Sequence, residues 1–363
     1  MSGLFDPLRL RGVEIPNRVW MSPMCSYAAA PDGERAGAPT DFHLAHYAAR
    51  AAGGAGMVVV EATAVAPEGR ISDRDLGLWD DAQIPAFRRL AAAIAEAGGV
   101  PAVQIAHAGR KAGTLPPAAG GAPLPPELGW PAIAPSPIPF PGLPAPREAS
   151  PEEIRALPRL WARAAARAAE AGFRAVEIHA AHGYLLHSFL SPLSNAREDE
   201  DGGPEGRSRL PLEVVAAVRA AWPEELPLLM RISTTDWVAE DPEDDRPAWR
   251  LEDALQLVRD AAGRGVDLVD CSSGGLVPAP IPRDRDYQTA KAARIRAETG
   301  VPVAAVGRID DAATAEELVR SGRADAVMIG RGMLRDLSWA NNAAAALGRP
   351  GRHPRQYAYA VRR

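Results

Sequence analysis

The chain has 363 residues, 47% of them hydrophobic and 24% charged, with a formal net charge of −5 at pH 7. This supplies a sizeable core and excludes a disordered chain, and the acidic balance excludes a global pull toward nucleic acid or an anionic membrane. Two cysteines far apart, Cys25 and Cys271, exclude a disulfide framework and fit a reducing compartment. The opening M-S-G-L-F-D-P-L-R-L has no apolar signal core and no segment reaches the ~20 apolar residues that span a bilayer, so the expected location is cytoplasmic. Lys111 and Lys291 are the only lysines; an Arg-dominated basic set with many prolines fits a GC-rich genome and heat adaptation equally well.

In chain order, Leu8–Leu10 and Val13–Ile15 around Arg11-Gly12 predict a hairpin capping the bottom of a larger unit. Val19-Trp20-Met21 reads as a first barrel strand and Thr40 to Ala52 as a helix stopped by the glycines at 53, 54 and 56. The continuous apolar run Met57 to Val60 has the character of a parallel strand buried on both faces. The alternation continues with a helix over 84–97, a strand over 100–105 and a helix over 151–171. A strand then ends at Ile178, followed by a helix over 210–221, a strand over 228–232 and a helix over 251–262. Strands at 268–271, 303–306 and 326–329 complete the set, with a helix near 313–321 between the last two. Eight such runs alternating with helices predict one α/β domain over 1–363, a parallel (β/α)₈ TIM barrel. The Pro/Gly-rich stretch 111–150 leaves the third strand's C-terminal end and reads as a loop or lid over the site; 336–363 reads as a C-terminal helix and tail.

Catalytic groups in such a barrel sit at the strands' C-terminal ends. The fourth strand releases His179, His182 and Tyr184 within six positions. Two imidazole N–H groups can hold one oxyanion, and a phenol nearby can give up a proton. His-x-x-His also offers two zinc ligands, but a third ligand is missing, H-E-x-x-H is absent and neither cysteine belongs to a C-x-x-C pair. Strands seven and eight both finish in Gly-Arg, Gly307-Arg308 and Gly330-Arg331, where these barrels hold phosphate groups: glycine admits the backbone and arginine adds charge. No G-x-G-x-x-G follows a strand, which excludes a Rossmann-type dinucleotide site. Gln104 and Arg231, at the ends of strands three and five, suit a planar heterocycle that needs hydrogen bonds on one edge and a cation beside another.

These residues resemble the old yellow enzyme family of flavin-dependent ene-reductases, in particular its smaller bacterial subclass with thermophilic members. The resemblance rests on S-P-M-C-S-Y (22–27), V-E-A-T-A-V (60–65), Q-I-A-H-A-G-R-K (104–111), E-I-H-A-A-H-G-Y (177–184), F-L-S-P-L-S-N-A-R (189–197) and the paired Gly-Arg ends, and runs from Leu4 to about Arg335. It implies FMN across the barrel mouth, with Ser22, Pro23, Met24 and Ala62 lining the ring and Gln104 and Arg231 on its pyrimidine side. Cys25 would tune its potential and Gly307, Arg308, Gly330 and Arg331 would hold its phosphate. NADPH, with NADH also possible, would be the donor. An enone-type substrate would bind beside Tyr27 with its oxygen on His179 and His182, and Tyr184 would protonate it. The resemblance further implies an NADPH dehydrogenase or ene-reductase that forms a homo-oligomer, a dimer or tetramer. Where the subclass ends in Q-Y-x-R, with the Arg reaching a neighbouring site, this chain has Tyr359, leaving Arg362 or Arg363 as substitutes; the usual Y-G-G-S is Asp201-Gly202-Gly203-Pro204. A xenobiotic reductase acting on nitro compounds and nitrate esters fits the same residues. From other classes, a phosphosugar lyase would need a strand-end lysine for a Schiff base, a non-catalytic flavoprotein or binding module would not need Tyr184, and an iron–sulfur dienoyl-CoA reductase would need clustered cysteines.

Overall fold

The computed structural model describes residues 2–125 and 127–361. Eight parallel strands close into a barrel in sequence order: Val19–Met21, Met57–Ala64, Val100–Ala106, Ala175–Ala180, Leu228–Ser233, Leu268–Ser272, Val303–Val306 and Ala326–Ile329. The last pairs with the first through Val327↔Val19, Met328↔Trp20 and Ile329↔Met21. Helices cover the outside, so strands are buried on both faces and their side chains are apolar with few exceptions. Among those exceptions, Glu177, Arg231 and Asp270 matter below.

Local chemistry sets the boundaries. The helix Asp41–Ala52 starts in a capping box between Thr40 and His43, and Pro151–Glu170 in one between Ser150 and Glu153, which satisfy amides the first turn would otherwise leave unpaired. The expected hairpin is present, with Leu8 opposite Ile15. Arg11, at φ 48°, turns it and pairs with Asp267 at 2.7 Å, while the Gly12 amide donates to the Glu225 carbonyl at 2.9 Å. Both anchors lie just before strands five and six, so the hairpin closes the end of the barrel away from the mouth.

Two elements differ from the expectation. Strand two runs on to Ala64 through a register shift between Val60 and Thr63; such a bulge re-aims side chains, and here Ala62 lines the mouth while Glu61 turns back into the protein. The stretch 111–150 carries structure of its own: 3₁₀ turns at Gly109–Lys111 and Pro117–Ala119, and a parallel pair between Ile133–Ala134 and Arg147–Glu148. Arg110 donates to the carbonyls of Ile138 (3.2 Å) and Leu276 (2.6 Å), tying this stretch to the loop after strand six. At the C-terminus the helix Trp339–Ala346 is followed by turns at Arg355–Tyr357 and Ala358–Val361; Arg362 and Arg363 lie outside the described residues. Among the described residues no helix is long and apolar enough to cross a membrane.

Candidate active site

The loop after strand four is held by a close approach and several hydrogen bonds. His182 and Gly183 both take positive φ, 60° and 73°. A Cβ at Gly183 would lie 2.4 Å from the Gly275 carbonyl oxygen, so glycine is what lets this loop pass the loop after strand six. The Gly183 amide donates to His187 Nδ1 at 2.9 Å, and His187 Nε2 lies 3.0 Å from Asp236 Oδ1. Asp236 also accepts from Ser191 Oγ (2.5 Å) and the Trp249 amide (3.2 Å). Lys111 donates to the carbonyls of His182, at 2.8 Å, and Gly275; burial, with Arg110 beside it, lowers its pKa to about 7.

Held this way, three rings converge. His179 lies 5.1 Å from His182 and 5.0 Å from Tyr184 between ring centroids, edge to face in both cases. The Ala181 amide donates to His179 Nδ1 at 3.3 Å, which leaves the ring proton on Nε2. Ser272 Oγ is 2.7 Å from His182 Nε2, and where this hydroxyl donates, the His182 proton sits on Nδ1. Burial, then the charge of Arg231, holds both imidazoles well below their usual pKa, so they are neutral rings with one N–H each. Burial lifts the Tyr184 phenol well above its ordinary value and keeps its proton in place. The Cys25 thiol is raised in the same way, first by burial and then by Asp75 and Glu61.

The same cavity, about 320 Å³, is walled by Ser22, Pro23, Met24, Cys25 and Tyr27 after strand one, Ala62 on strand two, Gln104 on strand three and Arg231 on strand five, with Val306, Gly330 and Arg331 on its far side. Gln104 Nε2 donates to Glu177 Oε1 at 2.7 Å, leaving its own Oε1 as an acceptor for the cavity. Arg231 donates to Ser22 Oγ at 3.1 Å and stands 3.2 Å from Asp270. Beneath Cys25 and Tyr27, the Ser26 amide and hydroxyl donate to Glu61 Oε1 (2.9 and 3.0 Å) and the Tyr47 hydroxyl to Oε2 (2.6 Å), fixing a turn in which Tyr27 has φ 55°.

A second cavity, also about 320 Å³, adjoins the first and shares Val306, Gly330 and Arg331 with it. Gly307, at φ 108°, packs so closely that a Cβ would come within 2.7 Å of Gln288 Nε2 and 3.0 Å of the Tyr287 hydroxyl. Gln288 is locked by bonds to Ser273 Oγ (2.6 Å) and the Val306 carbonyl (2.8 Å). Arg331 is exposed, Arg335 stands 3.8 Å from Asp310, and the Arg308 guanidinium lies over the Tyr287 ring at 4.8 Å while donating to the Asp284 carbonyl.

Every residue expected at the site from the sequence therefore lies at the mouth: Gly307 and Arg308 in the second cavity, the others lining the first. Lys111, the last residue of the Q-I-A-H-A-G-R-K motif, ties two loops together. Ser272, Gln288, Tyr287, Glu61 and Tyr47 were missed as supports. The signal available for Ser272 was a Ser-Ser-Gly-Gly run at a strand end; Tyr287 and Gln288, in a loop and at a helix start, carried none.

A model of the NADH:flavin oxidoreductase / NADH oxidase family matches residues 3–349. An NADPH dehydrogenase of Listeria innocua is 43% identical over 362 residues, 99% of each chain. Among solved structures, morphinone reductase in complex with tetrahydroNAD superposes with a TM-score of 0.77 at 27% identity, covering 98% of this chain and 93% of that one. The old yellow enzyme homologue from Zymomonas mobilis gives 0.75 at 27%, covering 97% and 94%.

Proposed function

The chain belongs to the NADH:flavin oxidoreductase / NADH oxidase family and is an FMN-dependent NADPH oxidoreductase, and we propose that it reduces carbon–carbon double bonds activated by a carbonyl or nitro group. The residues present suit FMN. Gln104 keeps an acceptor free for the first cavity, Arg231 lines the same cavity, and the close-packed backbone at Gly307 beside exposed Arg331 offers an anion a place in the second. In this reading Gln104 and Arg231 hold the pyrimidine edge, Ser22, Pro23, Met24 and Ala62 line the ring, and Gly307, Arg308, Gly330 and Arg331 hold the phosphate.

FMN, when bound, supplies two electrons as a hydride, received from NADPH and delivered to the carbon β to the activating group. The protein's part is positional and electrostatic. His179 Nε2–H and His182 Nδ1–H point at one substrate oxygen and stabilise the charge that builds there, each such donor being worth ~3 kcal/mol in the transition state. Neutral rings suit this task, because they donate without carrying a charge that must be desolvated. Tyr184, 5.0 Å from His179 between ring centroids, gives its proton to the α carbon. Tyr27 shapes the substrate end, Cys25 tunes the flavin, and 111–150 acts as a lid: Phe140 stacks 4.1 Å from Lys111 Nζ, which itself lies 5.6 Å from the Tyr184 ring. Exposed Tyr357 and Tyr359 support a homo-oligomer, and the single domain is read as cytoplasmic.

The observation that carries this reading is the convergence of two neutral imidazole donors and one protonated phenol on a single cavity. Its test is the visible spectrum of the purified protein under anaerobic titration with NADPH, then 2-cyclohexenone. A yellow protein that bleaches with the first and regains colour with the second is the expected result; bleaching without recovery would remove the double-bond reduction.

A further inference from the structure

Strands four, five and six bring together two acids that the reaction above does not use, around an arginine that it does. Glu177 and Asp270 are each 0% exposed, and Arg231, 6% exposed, stands on the strand between theirs. Glu177 receives a hydrogen bond from Gln104, its register partner on strand three; its Oε2 and both Asp270 oxygens have none. Arg231 Nε is 3.2 Å from Asp270 Oδ2 without the alignment of a hydrogen bond, and the Arg231 guanidinium also reaches Ser22 from strand one. His179, two residues beyond Glu177, is kept neutral. Two carboxylates and one guanidinium thus share a region without solvent, and a buried carboxylate lacking a counter-charge is strongly disfavoured there.

Given the FMN reading above, on which this rests, we propose that Glu177 and Asp270 hold one proton between them, carried by Glu177, and that Glu177 is thereby a positioning residue that couples flavin reduction to proton uptake. As a neutral acid Glu177 leaves Asp270 and Arg231 balanced; its carbonyl oxygen accepts from Gln104 and keeps that amide oriented toward the flavin. Burial, then the Asp270 carboxylate, pushes the Glu177 acid well above the usual carboxylate range. Reduction adds two electrons and one proton to the flavin and leaves one negative charge beside Arg231. A nearby anion favours the protonated form of a carboxyl group, so Glu177, where ionised beforehand, takes a second proton from solvent.

The sign follows. Below its raised pKa Glu177 is protonated before and after reduction and adds no proton to the couple. Above it, reduction binds one proton more, the reduction equilibrium loses a further factor of ten per pH unit, and the potential falls ~30 mV per unit more steeply.

The FMN-loaded enzyme, equilibrated with redox dyes from about pH 6 to about pH 10 in the absence of NADPH and enone, should show that break in slope. Glu177→Gln should match the native potential below the break and lie above it beyond, having lost the extra slope. Asp270→Asn should move the break to lower pH, since the carboxylate that raises Glu177 is gone. A native profile without a break, or a Glu177→Gln profile that keeps it, overturns the proposal; an offset at all pH values shows a structural role only and overturns it too. Should Glu177→Gln fail to fold, the native profile and Asp270→Asn decide. Loss of enone turnover with the break intact would sink the double-bond reduction and leave this inference standing.

Discussion

The two ends of the mouth handle charge in opposite ways. After strands one and four, burial suppresses charge: His179 and His182 are driven neutral, and Tyr184 and Cys25 are held protonated. After strands seven and eight, charge is left in solvent: Arg331 is exposed and the Arg335 side chain is 68% exposed. One end offers uncharged donors whose strength comes from the low dielectric around them. The other offers permanent cations that work through water and are screened by salt. A site that moves electrons and a proton while gripping a phosphate uses both, because a dry anion site would have to desolvate the phosphate fully.

The difference can be probed on each side. Tyr184→Phe removes the proton donor and little volume; reoxidation by enone should slow by about 10²–10⁴ while reduction by NADPH is unchanged. Stopped-flow measurement of the two half-reactions separates them, and equal slowing of both would refute the acid role. Arg331→Ala at the other end should weaken FMN binding by roughly 1.5–3 kcal/mol, the worth of a hydrogen bond to a charged group. Fluorescence titration of the apoprotein measures it, and the deficit should shrink as salt is raised. A salt-independent deficit would mean the two ends are less different than described. Cys25→Ala should have the smallest effect, a shift in flavin potential of about 10–30 mV, equivalent to a weak hydrogen bond. No shift returns Cys25 to an ordinary wall residue.

What was legible in the sequence is what depends on local spacing. Continuous apolar runs such as Met57 to Val60 announce strands buried on both faces, and the residues that follow them, His179, Arg231 and Gly330 among them, are placed at the mouth because a strand ends where its apolar run ends. That much settles the barrel, its open end and nearly all of its lining. The extension of strand two to Ala64 was hidden, since Glu61 and Thr63 read as the end of the run until the register shift shows both turned inward.

Partnerships needed the tertiary structure. His182 meets Ser272 from 90 positions away, Arg231 meets Ser22 from 209, and Lys111 reaches the loops at 182 and 275. Glu177 and Asp270 stood in the sequence as acids within apolar runs, a visible anomaly. Only barrel closure, which fixes the register of strands three to six, sets them around Arg231 and turns two separate irregularities into one charge balance. Periodicity states which face a side chain occupies; the partner across that face depends on strand register and barrel closure, which no single stretch of chain encodes.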